Sequence, residues 1–294
     1  MLIRHLEYFV TLAEEQHFGR AAELCGVSQP TLSQAIRKLE QDLGVALIVR
    51  GKRFMGLTAE GERVLPWGRQ ILSDFGSLKD DLSGRRKGGL TGQLRLGVTP
   101  AAMAALPRVT ERFEERNPLA RIAASPMTAE QIVQGIEGFA LDGGLLWLDD
   151  AVAGNAALSR VVLAQEEMMF ACPSDHPFAA EKTIPWRDAM TQPLVTLGAG
   201  FPVPGDGVGK PLIRAGITCN SLAGILAHLR GGLWCAVVPQ GFAALLAPGD
   251  GIALRPMTAP ALRLPLVAVL SARDPQSPMV RAFRDCLPAQ AAGT

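Results

Sequence analysis

Residues 17–44 read HFGRAAELCGVSQPTLSQAIRKLEQDLG, and this stretch predicts two short helices joined by a tight turn. Ala21 and Ala22 are small enough to let two helices cross closely. Gly26 can adopt the positive φ that a sharp turn requires. The pattern is typical of a helix-turn-helix, and an amphipathic helix over residues 2–16 is predicted before it.

The second helix of the pair presents a polar surface. Ser28 is a favourable N-cap, Pro30 lies in the first turn, and Gly44 is placed to end the helix after residue 43. The outward face carries short, amide or cationic side chains, namely Gln29, Thr31, Ser33, Gln34, Arg37 and Lys38. Such side chains can read base edges and bind phosphates. An ordinary pair of packed helices would also have a polar surface, so both interpretations remain open at this point.

A basic hairpin is predicted directly after these helices. Residues 45–49 (VALIV) and 54–57 (FMGL) form two short apolar stretches around the cationic tip RGKR at 50–53. A basic tip that follows a recognition helix suits a wing that reaches the phosphate backbone or the minor groove. Acidic and basic residues balance over residues 1–60, so the cations are clustered locally rather than in excess.

A long helix is predicted over residues 58–83. Its apolar residues recur at heptad-like steps, at Val64, Ile71, Phe75, Leu78 and Leu82. A helix facing a core would show the same stripe, but the polar flanks on both sides favour a coiled coil between two copies of the chain. Residues 84–92 (GRRKGGLTG) are predicted to be a flexible basic linker.

The remaining chain alternates between predicted strands and helices, which indicates α/β layers with mostly parallel sheets. Strands are predicted at 94–98, 121–125, 140–148, 158–171, 193–197, 235–238 and 264–270, and helices at 100–116, 128–137, 220–230 and 279–287. A chain of 294 residues is long enough for two or three domains.

Composition excludes several classes of protein. Apolar residues make up 48% and charged residues 19% of the chain, as in soluble globular proteins. The five cysteines are widely spaced without a CxxC, and the four histidines are scattered, which argues against zinc and against a secreted disulfide framework. No GxSxG is present, and an enzyme is not expected. Without a signal-peptide pattern or a run of about 18 apolar residues, a cytoplasmic protein with no membrane partner is expected.

Several motifs together resemble the LysR-type transcriptional regulators: HFGRAA at 17–22, SQPTLSQAIRKLE at 28–40 and LTAEG at 57–61. The resemblance covers about residues 2–65 closely, with Ile48 replacing the usual aromatic residue and an unusual Met55–Gly56 in the wing. It implies an α/β protein with an N-terminal all-α winged helix-turn-helix and a long linker helix. The C-terminal effector domain would resemble type 2 periplasmic binding proteins, with two α/β subdomains flanking a cleft.

The resemblance also implies domain boundaries and DNA contacts. The expected units are 1–58 for DNA binding, 59–92 for the linker helix and hinge, and 93–294 for the effector domain. Subdomain I would comprise about 93–162 and 266–294, and subdomain II about 163–265. The implied DNA contacts are Ser28, Gln29, Pro30, Thr31, Ser33, Gln34, Arg37, Lys38, Arg50 and Arg53.

Three predicted helix starts in the effector domain carry hydroxyl or amide groups: Thr99–Pro100, Thr128 with Gln131, and Asn220–Ser221. Helix N-termini bind small anions, although each residue could simply cap its own helix. The resemblance favours an effector pocket, for which we expect Thr99, Pro100, Ser125, Met127, Thr128, Thr196, Phe201, Asn220 and Ser221. The expected ligand is a small carboxylate or another anion, and no cofactor is expected. Residues 198–211 lack the P-loop spacing and are predicted to form a loop over the cleft.

The expected partners are double-stranded promoter DNA, the small-molecule effector, RNA polymerase and further copies of the chain. By family analogy, two chains pair through the linker helix and then form a dimer of dimers. A redox sensor of the same fold is the alternative, but Cys172, Cys219 and Cys235 are too far apart in sequence to suggest a reactive pair. A transport-type binding protein is not expected, because the sequence shows no export signal and its first 60 residues resemble a DNA-binding module.

Overall fold

The computed structural model describes residues 3–49, 51, 53–87, 89–148, 150–197, 215–259, 261–273 and 276–288. The first four helices are α1 (Ile3–Glu15), α2 (Phe18–Leu24), α3 (Gln29–Leu43) and α4 (Ala59–Lys87). The N-terminal core is mainly aliphatic with a few aromatic rings, and Phe9, Leu12, Leu32, Leu39 and Leu47 are fully buried in it. These helices confirm the predicted helix-turn-helix.

Local backbone chemistry sets the ends of these helices. The Ser28 hydroxyl accepts a hydrogen bond from the amide of Thr31 at 3.3 Å, as an N-cap should. Gly26 and Gly44 have φ values of 65° and 72°, which a residue with a side chain rarely adopts. The predicted boundaries of α3 are therefore confirmed, and so is their physical reason.

The wing is shorter than predicted. An isolated antiparallel bridge between Ile48 and Leu57 replaces the two expected strands, supported by a hydrogen bond from Val49 N to Gly56 O at 3.0 Å. The apolar stretches are too short to pair further, and Ile48 and Leu57 turn instead towards the N-terminal core. Residues 50 and 52 lie outside the described part of the chain.

Helix α4 is longer than predicted, because it continues to Lys87. The prediction of a flexible linker from residue 84 was therefore wrong for its first half: the Arg-Arg-Lys run favours helix, and one glycine does not end it. Val64 packs against the N-terminal core, whereas Leu78 and Leu82 are each 55% exposed. The apolar stripe thus changes from core contact to exposed surface along the helix.

The C-terminal domain begins with β1 (Gly92–Val98). Its other strands are β2 (Ala120–Pro126), β3 (Gly143–Trp147), β4 (Leu158–Pro173), β5 (Ile184–Pro185), β6 (Leu194–Leu197), β7 (Ala215–Cys219), β8 (Ala236–Pro239), β9 (Ile252–Thr258) and β10 (Arg263–Ser271). Its α-helices are α5 (Leu106–Arg116), α6 (Ala129–Glu137), α7 (Asp150–Ala153), α8 (Trp186–Ala189), α9 (Leu222–Arg230) and α10 (Pro278–Cys286), and its 3₁₀ helices are Pro100–Ala105, Pro177–Ala180 and Gln240–Leu245. Strands β5, β7 and β9 were not predicted.

The sheets are mixed, and the prediction of mostly parallel sheets was wrong. One sheet has the order β2-β1-β3-β10-β4-β9-β5, with β8 also pairing with β4, and β6 pairs with β7 separately. The β1–β2, β1–β3, β5–β9 and β6–β7 ladders are parallel, whereas β10 and β4 pair antiparallel with all of their neighbours. An alternation of strands and helices in the sequence does not reveal that β4 and β10 run antiparallel to their neighbours.

Strands β4 and β10 connect two separate cores. Val161 and Leu266 belong to a core with β1, α5 and α10. Farther along β4, Met168 and Phe170 belong to a second core with β8 and α8. Two α/β halves therefore share a pair of crossing strands, which is the arrangement that creates a cleft between halves.

Candidate DNA interface and effector cleft

Helix α3 separates its apolar and polar residues cleanly. Leu32, Ile36 and Leu39 are buried in the N-terminal core. The opposite face is open to solvent except for a half-buried Ser33, and its exposed residues are Ser28, Gln29, Pro30, Thr31, Gln34, Arg37 and Lys38. Because these side chains are already exposed, they can contact a groove of DNA without any change in the core.

The wing and α3 together form a concave surface that bounds a cavity of about 730 Å³. Gln29, Ser33, Arg37 and Arg53 all line it. Thr31, Gln34 and Lys38 are exposed outside this lining, and the Lys38 ammonium lies 3.0 Å from the Asp42 carboxylate. Arg50 falls outside the described residues.

Glu40 holds the wing against α3, and sequence reasoning missed it. Its Oε1 accepts hydrogen bonds from the amides of Leu47 at 2.8 Å and Ile48 at 3.2 Å. Phe18 adds an edge-to-face contact with Phe54 at 6.4 Å between ring centroids. The sequence carries little signal for this contact, because α3 has two acidic residues, Glu40 and Asp42, beside its two cations.

Four predicted effector residues meet at the carboxyl ends of parallel strands. Val98 on β1 lies opposite both Pro126 on β2 and Leu145 on β3. This register brings together the residues that follow or end these strands, namely Thr99, Ser125, Met127 and Thr128. Such edges of α/β sheets are the usual place of a ligand.

Thr128 and Thr99 begin their helices differently. The Thr128 hydroxyl accepts from the Gln131 amide at 3.2 Å, and Gln131 Oε1 accepts from the Thr128 amide at 2.9 Å, which confirms the predicted capping box. Thr99 instead precedes Pro100 at the start of a 3₁₀ helix and makes no capping bond. Its hydroxyl points to the Leu145 carbonyl at 3.5 Å. The prediction of one α-helix over 100–116 was therefore wrong, because Pro100–Ala105 is wound more tightly before α5 begins.

A second group of predicted residues lies in the other half of the domain. Thr196 and Asn220 lie at or just after the carboxyl ends of the parallel strands β6 and β7. Ser221, not Asn220, is the N-cap of α9, and its hydroxyl accepts from the Gly224 amide at 3.1 Å. Thr196 is buried with its hydroxyl 3.4 Å from the Ile217 carbonyl. Phe201 and the predicted loop over the cleft, residues 198–211, lie outside the described residues.

A buried carboxylate marks the crossing of the two halves. Glu166 on β4 is 6% exposed, and its Oε2 accepts from the Gly241 amide at 2.7 Å. A Cβ atom at position 241 would lie 3.3 Å from both carboxylate oxygens, so glycine permits the approach. Glu166 thereby anchors the 3₁₀ helix Gln240–Leu245 to β4. No sequence signal distinguished this glutamate from Glu167 beside it.

The five cysteines are free thiols. The register of β4 and β8 pairs Ala171 with Ala236, which brings Cys172 on β4 close to Cys235, the residue directly before β8, despite their separation in sequence. Burial raises the pKa of Cys172 to about 11 and that of Cys235 to about 12. Both thiols therefore remain protonated near neutral pH, where a thiolate would be the reactive form.

Two absences hold for the described part of the chain. Among those residues, the side chains of His, Cys, Asp and Glu form no group of three or more that could hold a metal ion. In the same ranges, no helix combines the length and the apolar character that crossing a bilayer needs.

A winged helix-turn-helix joined by a long helix to a two-part α/β domain defines a class of ligand-linked DNA-binding regulators. Residues 3–62 match the family described as "Bacterial regulatory helix-turn-helix protein, lysR family", and residues 87–292 match "LysR substrate binding domain". The chain therefore belongs to the LysR-type transcriptional regulators. The proteins matched by name are regulators rather than enzymes.

Individual relatives agree with this assignment. The chain is 39% identical to the uncharacterized HTH-type transcriptional regulator YnfL of Escherichia coli over 199 residues, or 66% of this chain and 64% of YnfL. It is 34% identical to the DNA-binding transcriptional dual regulator OxyR of Escherichia coli over 201 residues, or 68% of this chain and 65% of OxyR. The matched part thus spans slightly under two thirds of either relative. A full-length OxyR structure from Pseudomonas aeruginosa superposes with a TM-score of 0.75 at 26% identity, over 97% of this chain and 94% of that one.

Proposed function

We propose that the protein is a ligand-responsive, sequence-specific regulator whose helix α3 reads the major groove of promoter DNA. The observation that carries this proposal is the shared concave surface of α3 and the wing, where Arg37 and Arg53 lie with Gln29 and Ser33. A surface that combines two cations with amide and hydroxyl groups can contact DNA phosphates and base edges at the same time. The division into units 1–58, 59–92 and 93–294, with subdomains changing near 163 and 266, is part of the proposal.

Each side of the interface has its own task. Ser33 and Gln34 are placed to read bases, whereas Arg37, Lys38 and the wing residue Arg53 neutralise phosphates. The Ser28 hydroxyl caps the start of α3, and we place Ser28 there against the DNA phosphate backbone. The remaining contacts proposed are Gln29, Pro30, Thr31 and Arg50. Because acidic and basic residues balance within the first 60 or so positions, strong binding requires two copies of the module.

Gel-shift titrations on a DNA fragment pulled down with the protein test the assignment. Gln34→Ala should lower affinity for that fragment by about tenfold while leaving random DNA nearly unaffected. Arg53→Ala should weaken both by a similar factor and reduce the slope of log affinity against log salt by about 1. Gln165→Ala and Arg187→Ala serve as matched controls, since both side chains are exposed in the effector domain. Equal effects of Gln34→Ala and Arg53→Ala on random DNA would contradict the proposal.

Self-association supplies the second module. The exposed apolar residues of α4 would pair two chains and place their α3 helices on two half-sites of an interrupted palindrome. Two such dimers would join through their effector domains, forming a tetramer that bends its promoter. Effector binding would then change the angle between subdomains, the half-sites held, and the recruitment of RNA polymerase.

The effector is proposed to be a small carboxylate or another small anion. Support comes from the helix start at Thr128, where free amides of α6 and the partial positive charge of the helix lie beside Ser125 and Thr99. The pocket would comprise Thr99, Pro100, Ser125, Met127, Thr128, Thr196, Phe201, Asn220 and Ser221.

Calorimetric titration with matched pairs tests the charge of the effector. Benzoate, succinate and glutarate would be compared with benzamide, succinamide and glutaramide. Heat from at least one acid, with its amide silent, supports the proposal. Thr128→Val should weaken binding of that acid, whereas Thr191→Val, at an exposed turn elsewhere, should leave its binding unchanged. Binding of neutral compounds alone would refute an anionic effector without affecting the DNA-binding proposal.

A further inference from the structure

Three parts of the molecule meet at one side chain of the linker helix. Arg69 on α4 directs its Nε towards Glu14 Oε1 on α1 at 3.2 Å. A methyl group built at Gly138, the C-cap of α6, would lie 4.0 Å from the Nη1 of Arg69. The same guanidinium therefore contacts the DNA-binding domain and approaches the effector domain, at a helix end where carbonyl groups favour a cation.

A second arginine extends this contact into the effector domain. Arg95 on β1 forms a bidentate pair with Asp142, with Nε–Oδ2 at 3.1 Å and Nη2–Oδ1 at 2.9 Å. Burial lowers the pKa of Arg95, but the bonds to Asp142 and the charges of Asp142 and Glu14 outweigh burial and raise it. Glu14 thus lies within electrostatic reach of two guanidinium groups, one on the linker helix and one on the effector domain.

The same residues enclose one cavity between the domains. Its volume is about 330 Å³, and Glu14, Arg69, Arg95, Phe139 and Asp142 line it together. A cavity bounded by α1, α4 and the effector domain shows that packing between these parts is incomplete. Charged groups from both sides face this gap, and α4 also packs against α10 beside it, so the charges act together with that packing on the relative orientation of the parts.

The effector side of this junction is stiff. The chain leaves α6 through Gly138 and then Phe139, whose φ of 59° is unusual for a residue with a side chain. Arg273 covers the Phe139 ring, with its guanidinium carbon 4.6 Å from the ring centroid. Backbone hydrogen bonds stabilise this turn. The Gly138 amide donates to the Gln134 carbonyl, the Ala140 and Leu141 amides donate to the Gly135 carbonyl, and the Asp142 amide donates to the Arg95 carbonyl. These amides report on the junction directly.

We propose that Glu14, Arg69, Arg95 and Asp142 form an ionic joint that sets the orientation of the DNA-binding domain relative to the effector domain. Arg69 is its positioning residue, because it alone among the four lies on the linker helix. Helix α6 links this joint to the cleft, with Thr128 at one end and Gly138 at the other. Only that link to the cleft rests on the proposed effector site; the joint itself requires no ligand.

Hydrogen exchange of the full-length protein, without DNA or effector, tests the joint. Glu14→Gln or Arg69→Gln should accelerate exchange of the amides at 138–142 by about threefold, as expected when a partly exposed ion pair no longer restrains local opening. Arg230→Gln breaks a comparable pair with Asp250 in subdomain II and should leave these amides unchanged. Unchanged exchange at 138–142 in both single variants would overturn the joint.

A DNA readout separates positioning from stability. Binding of the wild-type chain should fall by about tenfold when two base pairs are inserted between the half-sites, because a firm joint fixes their separation. Glu14→Gln should keep its affinity for the original fragment within about twofold and lose only about threefold on the insertion. A Glu14→Gln variant as sensitive to spacing as the wild type would contradict the positioning role. Absence of wild-type binding to any fragment would refute the proposed function, while exchange at 138–142 still tests the joint.

Discussion

Helices α3 and α4 expose different chemistry although both pack against the N-terminal core. The exposed residues in the first two and a half turns of α3 are mostly amides, hydroxyls and cations, whereas α4 exposes Trp67, Leu78 and Leu82, each more than half accessible. A polar face suits a charged, hydrated polymer, and an apolar face suits a similar apolar surface. The contrast supports the proposal that α3 contacts DNA and α4 contacts a second copy of the chain, and it can be tested at each helix.

The largest effect is expected at the apolar face of α4. Replacing both Leu78 and Leu82 by Glu places charges in a seam where each leucine contributes about 2 kcal/mol on burial. The double variant should sediment as a monomer and lose about a hundredfold or more in affinity for a palindromic fragment. Sedimentation velocity and gel shifts measure both properties. Leu233→Glu, at another exposed leucine, serves as the control, and a dimeric double variant would contradict the assignment of α4.

A smaller effect is expected where the wing meets α3. Glu40→Ala removes the acceptor of the Leu47 and Ile48 amides and should destabilise the protein by about 2 kcal/mol, the range for hydrogen bonds to a charged group. Urea unfolding measures the loss. DNA affinity should fall as well, even though the change removes a negative charge from the interface. Glu23→Ala, at an exposed position of α2, is the control, and tighter DNA binding by Glu40→Ala would show that the charge outweighs wing anchoring.

The capping box of α6 is expected to contribute less. Thr128→Ala removes the hydroxyl that accepts the Gln131 amide and should cost about 1 kcal/mol in urea unfolding. Thr128→Ser keeps that acceptor and should stay close to the wild-type stability. If the alanine variant were as stable as the serine variant, Thr128 would be free of a structural task and the case for a ligand there would strengthen.

The smallest effect is expected at the buried thiols. Because burial raises the pKa values of Cys172 and Cys235, iodoacetamide at pH 7.5 should label them far more slowly than the half-exposed Cys25. The folded state favours the protonated thiols, so their contribution to stability is complete below about pH 9 and is lost as pH rises through their raised pKa values. Unfolding at pH 7.5 and pH 10 measures this loss. A Cys172–Cys235 disulfide after mild peroxide treatment would instead favour the redox alternative.

Local signals predicted α3 and α6 correctly because each depends on residues close in sequence. Ser28 bonds to Thr31 and Thr128 to Gln131, one helical turn away. Helix α9 begins at Leu222, two residues later than predicted, for a similar local reason: Asn220 and Ser221 are both good caps, and the chain uses the second. At the proposed effector pocket, the register of β1 with β2 brings Thr99 near Thr128, which composition alone cannot show.

The sequence by itself determined the helix-turn-helix, the long linker helix, the alternation of strands and helices, and the family. Those features follow from periodicity, caps and glycines, whose energies act within a few residues. Only the tertiary structure decided the antiparallel course of β4 and β10, the anchoring of the wing by Glu40, and the meeting of Glu14, Arg69 and Arg95. These depend on which distant segments pack together, and packing of a whole chain leaves no short-range pattern in its sequence.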